Sequence, residues 1–136
     1  MMTRHRLREC LFKAVFQLSF TEDVDIDVST LTDEEEQGEP DLSEAERDYI
    51  DLKLENIKNH LEEIDSAIEK SSSWKISRIG KAELSILRVA VYEILFDDAV
   101  PEKVAVNEAI ELAKVYADDK SGAYINGVLA GIIKAE

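Results

Sequence analysis

Residues 79–132 read IGKAELSILRVAVYEILFDDAVPEKVAVNEAIELAKVYADDKSGAYINGVLAGI. Wound at roughly 100° per residue, this stretch resolves into three helices in series. Leu84, Leu87, Val91 and Leu95 share one face and predict a helix over about 81–96. Asp97-Asp98-Ala99-Val100-Pro101 ends it, and Pro101 suits a turn or the first turn of the next helix. Val106, Ala109, Ile110 and Ala113 line a second helix to about Tyr116. Asp118-Asp119-Lys120-Ser121 then reads as a helix-capping corner. A last helix runs over about 121–134, with Ile125, Val128, Leu129, Ile132 and Ile133 apolar. Asn107 and Asn126 are polar residues inside apolar helices, and each is expected to make a structural hydrogen bond, because a buried amide must be satisfied. No stretch alternates cleanly enough to be a strand, so the fold class is all-α.

Working back from this stretch, SSSWKISRIG at 71–80 punctuates the chain, and Trp74 is expected to anchor the core or a junction between helical halves. Ser43 with Glu46 three positions on forms a capping box. From there Ile50, Leu54, Ile57, Leu61, Ile64 and Ile68 step by four and three alternately. They predict a helical stretch over about 44–70, with room for a break near His60. Fewer than four heptads fits a bundle helix better than a coiled coil. His60 has no partner ligand in view and reads as structural or exposed. Residues 21–41 carry an acidic run with Gly38 and Pro40, read as a solvated loop or partly disordered insertion. Its carboxylates lack the spacing of a calcium loop.

The first helix is predicted over about 3–19, capped by Thr3. Leu7, Leu11, Ala14 and Leu18 make its core face, flanked by Cys10 and Val15. Phe12, Phe16 and Phe20 fall opposite with His5 and Glu9, and Arg8 lies at the margin. Two readings stay open. The outer rings meet a second layer of helices, or at least Phe16 is a surface platform for stacking single-stranded RNA beside the arginines.

The 136 residues suffice for one domain with a real core, and 45% are hydrophobic. The apolar runs fall short of a bilayer span and no signal-peptide core is present, so a cytoplasmic location is expected. One cysteine, Cys10, means no internal disulfide and reads as a small buried apolar residue. The net charge of −14 opposes nucleic-acid binding at first sight. Its distribution changes that reading: residues 1–20 carry +3, residues 21–72 carry −15 and residues 73–136 carry −2. A local basic patch acts within a screening length of about 8 Å, against the global sign. There is no Gly-rich phosphate loop and no Cys or His ligand cluster, and neither His5 nor His60 has support as a base. Neither an enzyme nor a metal or cofactor is expected. The layout suggests one domain over 1–136, with an N-terminal helical half at about 1–72, an acidic loop at 21–42 and a C-terminal half at about 73–136.

Four segments carry a resemblance beyond this. They are RxRECxxKAVFQLxF at 6–20, ELSILRVAVYEI at 83–94, VPEKVAVNEAIELAK at 100–114 and DDKSGAYINGVL at 118–129. Together they closely resemble the NusB family of bacterial transcription antitermination factors, across essentially the whole chain outside the acidic insertion. The resemblance implies an all-α fold of two packed three-helix subdomains, about seven helices in all. It implies binding of the boxA element of ribosomal-operon RNA together with NusE, also a small-subunit ribosomal protein. The complex would join an elongating RNA polymerase with NusA and NusG and suppress termination. Some members form homodimers that bury the RNA surface. Carried over by position, the RNA-binding residues are Arg4, His5, Arg6, Arg8, Phe16, Glu83, Lys120 and Tyr124, and the NusE-facing ones are Lys81 and Glu83. His5 stands where arginine is common, which lowers the charge of the arm near neutral pH. Phe16 replaces a frequent tyrosine, and Lys120 takes a place that is acidic in some members. Two rivals are a protein-binding helical adaptor without RNA binding and a fragment of a ribosomal-RNA methyltransferase that carries a NusB-like N-terminal domain.

Overall fold

Three of the helices begin behind a side chain that satisfies a free amide of the first turn: Thr3, Ser43 and Asp118. The computed structural model describes residues 3–20 and 42–135, apart from the side chain of Asp119. Helix α1 spans Arg4–Leu18, and the Thr3 hydroxyl accepts from the Arg6 amide at 3.2 Å. Helix α2 spans Glu44–Asn59 behind a complete capping box. The Glu46 amide donates to Ser43 Oγ at 3.2 Å, and the Ser43 amide donates to Glu46 Oε1 at 2.9 Å. Helix α3 spans Leu61–Ser71, and a 3-10 turn follows at Ile76–Arg78. Helices α4, α5 and α6 span Lys81–Phe96, Glu102–Tyr116 and Asp119–Ala135. Among the described residues the fold is therefore all-α, with six α-helices and one 3-10 turn against the expected seven or so. The expected acidic loop lies outside the described residues, save for Leu42, which is buried.

The expected break near His60 is real. His60 leaves helical geometry at φ −111° and ψ 15°, and its ring stacks on Phe96 at 4.1 Å. The apolar ladder crosses this break intact: Ile50, Ile57, Ile64 and Ile68 are all fully buried. The bend thus redirects α3 toward α4 and α6 without turning its greasy face outward.

Helix α4 corrects the one-face expectation. Leu84, Ile86, Leu87, Val89, Ala90, Val91 and Tyr92 are all buried, whereas Leu95 is only partly so. A helix apolar nearly all round belongs at the centre of a bundle, and α4 packs on α1, α2, α3, α5 and α6. Where α4 carries polar groups, they are paired. Arg88 holds Asp65 of α3 through two bonds of 2.9 and 2.8 Å, and Asn56 of α2 donates to the Tyr92 hydroxyl at 3.2 Å.

Three other expectations fail, and one open reading closes, for a shared reason. Trp74 is 54% exposed rather than an anchor. Asn107 and Asn126 face solvent rather than the core. Of the two readings left open for the outer rings of α1, a second helix layer holds for Phe12, which is buried because α5 brings Tyr116 to 4.7 Å from its ring. A single helix reveals its period but not how many neighbours will cover it.

Candidate nucleic-acid interface

The outer side of α1 is a stripe rather than a scatter. Arg6, Glu9, Lys13, Phe16 and Phe20 recur at three- and four-residue steps and so lie along one face. At its start Arg4 is exposed, and His5 Nδ1 lies 3.1 Å from Glu108 of α5. Arg6 pairs with Glu9 at 2.8 Å, and the Tyr116 hydroxyl donates to the other Glu9 oxygen at 2.9 Å. Lys13 Nζ sits 5.9 Å from the centre of the Tyr116 ring. Phe16 is half-buried, with Phe20 edge-on to it at 5.0 Å and 58% exposed.

The stripe continues onto the N-terminus of α4. Lys81 Nζ lies 4.2 Å above the Phe20 ring and donates to the Ser19 carbonyl at 2.9 Å. Lys81 also borders an apolar groove lined by Leu18, Ile57, Leu61 and Ile79. Glu83 turns toward the α5–α6 corner, where Ser121 Oγ is 3.0 Å from both Glu83 Oε2 and Asp118 Oδ1. The single hydroxyl proton serves one carboxylate at a time. The Ser121 amide donates to Asp118 at 2.8 Å, so Asp118 caps α6, and this bond first, then the hydroxyl, holds its carboxyl below the ordinary value. Lys120 is exposed beside it. Tyr124 is partly buried, bonded through its hydroxyl to Ser72 Oγ at 2.7 Å and stacked on Trp74.

Of the residues singled out in the sequence, Arg6, Phe16, Lys81, Glu83, Lys120 and Tyr124 thus border one connected path. Arg8 is set apart from it. The residue is 8% exposed, and its guanidinium grips Glu93 through bonds of 2.8, 3.0 and 3.1 Å and Glu108 at 3.0 Å. Burial opposes its charge, but the bond and attraction to Glu93, with Glu108, outweigh that and raise its pKa above the usual arginine range. Arg8 is a buried tie between α1, α4 and α5. Lys13 was passed over in the sequence, although its place three residues before Phe16 was signal enough. Among the described residues no group of three His, Cys, Asp or Glu side chains converges to hold a metal ion.

The sequence matches the NusB family over residues 5–134. The transcription antitermination protein NusB of Agathobacter rectalis is 47% identical over 133 residues, 95% of this chain and 98% of that protein. Its counterpart in Lachnoclostridium phytofermentans is 43% identical over 135 residues, 97% and 99% of the two chains. Among solved structures, NusB of T. maritima superposes with a TM-score of 0.82 at 32% identity, over 98% of this chain and 92% of that one. A chain in the crystal structure of antitermination factors NusB and NusE in complex with dsRNA superposes at 0.77 with 30% identity, over 99% and 100%. With the family match spanning nearly the whole sequence and these relatives agreeing from end to end, the chain belongs to the NusB family.

Proposed function

We propose that this chain is a transcription antitermination factor that binds boxA-type RNA of ribosomal operons together with NusE. The observation that carries this reading is the recurrence of cations and rings, Arg6, Lys13, Phe16, Phe20 and Lys81, along one face, with Lys120 exposed beyond the Glu83–Ser121 corner. Relatives named as transcription antitermination proteins support it, as does the structural neighbour solved with NusE and dsRNA. The role is binding rather than catalysis. Arg4, His5 and Arg6 meet phosphates, Phe16 offers a ring to an unpaired base, and Lys120 extends the cationic path. Arg8 acts indirectly by fixing the start of α1. Tyr124 supports the far end of the path. Lys81, Glu83 and the adjoining groove face NusE, and the assembled complex joins RNA polymerase with NusA and NusG.

The global charge of −14 weakens RNA binding by the chain alone, which is why a partner is needed. The test is a titration of boxA RNA, single-stranded and duplex, with and without NusE, for the wild type, Arg6→Ala and Phe16→Ala. Base stacking is worth roughly 1–3 kcal/mol, so Phe16→Ala should weaken single-strand binding by about 5- to 150-fold. Arg6→Ala should lower the salt slope by about 0.7. Wild-type affinity in both variants would overturn the residue assignment. Absence of any RNA-dependent response with NusE present would point instead to a protein-binding adaptor.

A further inference from the structure

Trp74 is the single tryptophan of the chain, and more than half of its surface is open. One face of the indole stacks on Tyr124 at 5.0 Å and 26°. The remaining exposure therefore falls on the opposite face and the edge. Packing does not account for that face, since a ring of this size left in water forgoes much of the burial it could contribute.

The backbone beneath the ring is also held. Ser72 Oγ joins the Tyr124 hydroxyl at 2.7 Å and accepts from the Trp74 amide at 3.0 Å. The next turn is pinned by the Ile76 amide donating to Glu69 at 3.3 Å and the Arg78 amide donating to the Lys75 carbonyl at 2.8 Å. An indole already seated on Tyr124 above a hydrogen-bonded turn gives up less ordering entropy when a flat ligand lands on it.

Its surroundings decide what that ligand is. On a chain of net charge −14, residues 70–82 hold Lys70, Lys75, Arg78 and Lys81 and no acidic residue. Lys75 and Arg78 are exposed, and with Ser73 and Trp74 they line one open hollow. An accessible ring among unopposed cations suits a nucleic-acid strand: the ring takes a base face and the cations take the flanking phosphates.

We infer that Trp74 is a base-stacking residue and that Lys75 and Arg78 bind the adjoining phosphates, carrying the RNA path beyond Lys120 onto the turn between α3 and α4. Tyr124 then acts as a positioning residue, since Trp74 covers the face it would otherwise offer. This rests on the RNA-binding reading proposed above.

The single tryptophan supplies a readout that needs no mutation. The chain with NusE is titrated with single-stranded boxA RNA extended at both ends, and indole emission is followed, with Trp74→Phe as the blank for any signal from NusE. The expected result is quenching that saturates along the binding curve. Trp74→Ala should weaken affinity by roughly 5- to 150-fold and leave the salt slope unchanged, because stacking releases no counterions. Trp74→Phe, which keeps a ring, should recover part of the loss. Lys75→Ala and Arg78→Ala should each lower the salt slope. If the wild type binds RNA and Arg6→Ala weakens it, while emission and Trp74→Ala affinity stay unchanged, this inference fails and the RNA-binding reading stands. If the wild type binds no RNA, both fail. If emission shifts on adding NusE alone and Trp74→Ala weakens NusE capture, the surface belongs to the protein partner and the inference is overturned.

Discussion

Arg8 carries a full positive charge to a place water scarcely reaches. Such a charge survives only with carboxylates in good geometry around it, and Glu93, itself 2% exposed, provides the first of them. The stability of the pair as a whole is modest, because desolvation offsets most of the attraction. Breaking it is a different matter. Arg8→Ala strands the Glu93 carboxylate in the core, and the expected loss is about 3–5 kcal/mol. Urea unfolding should show this as a lower midpoint with an unchanged slope. Replacing both partners by methionine should return most of the loss, and a double variant as unstable as Arg8→Ala would contradict the account. Glu93 and Glu108 stand 85 and 100 residues along the chain from Arg8. For that reason the sequence could rank Arg8 only with its neighbours in the basic arm, whereas the fold assigns it to the interior.

Among the elements, α6 shows how a short polar signal fixes a boundary. Asp118 accepts from the amide and hydroxyl of Ser121, so its ionised form is favoured in the folded state and its pKa falls below the ordinary 3.8. The sign follows by linkage. A depressed carboxyl pKa adds stability that is fully present above the unfolded value and is lost as pH falls through the folded one. Asparagine caps a helix about as well but carries no charge. The stability difference between wild type and Asp118→Asn should therefore be constant from about pH 7 to 5 and shrink below about pH 4 in thermal melts. A difference independent of pH across that range would deny the charge any role. Such boundaries were legible because they are local: Thr3, Ser43 with Glu46, and Asp118 all cap the helices they announce. Trp74, Asn107 and Asn126 were misread, and the choice between the two readings of Phe12 stayed open, because burial depends on what packs against a helix. Phe12 is covered by Tyr116, a residue more than a hundred positions away, and nothing near Phe12 in the chain says so. The site divides in the same way. Phe16 was readable from its spacing beside the arginines and Lys120 came only through the family resemblance, while the ties through Tyr116, Ser121 and Ser72 come only from the folded chain.

At the scale of the whole molecule, an anion has to hold another anion. The acidic side chains are concentrated in residues 21–72, and the stretch Asp33-Glu34-Glu35-Glu36 alone places four consecutive carboxylates on the chain. The stripe on α1 and the cations at 70–82 act locally, yet a strand approaching from a distance meets the summed field first. That field should suppress encounters with arbitrary RNA and leave the short-range contacts at the stripe to decide what stays bound. Screening gives the idea a sharp consequence, because the reach of a charge shrinks from about 30 Å at 0.01 M salt to about 3 Å at 1 M. Neutralising the quartet as Asp33→Asn, Glu34→Gln, Glu35→Gln and Glu36→Gln should raise affinity for an RNA of unrelated sequence several-fold near 0.01 M salt, with the two proteins converging toward 1 M. Affinity for boxA RNA with NusE should rise less, because close contacts dominate there. Association rates measured across the salt series would carry most of the change, since long-range repulsion acts on encounter rather than on release. Equal affinities for unrelated RNA at low salt would mean that the acidity of this chain has no part in its discrimination among RNAs.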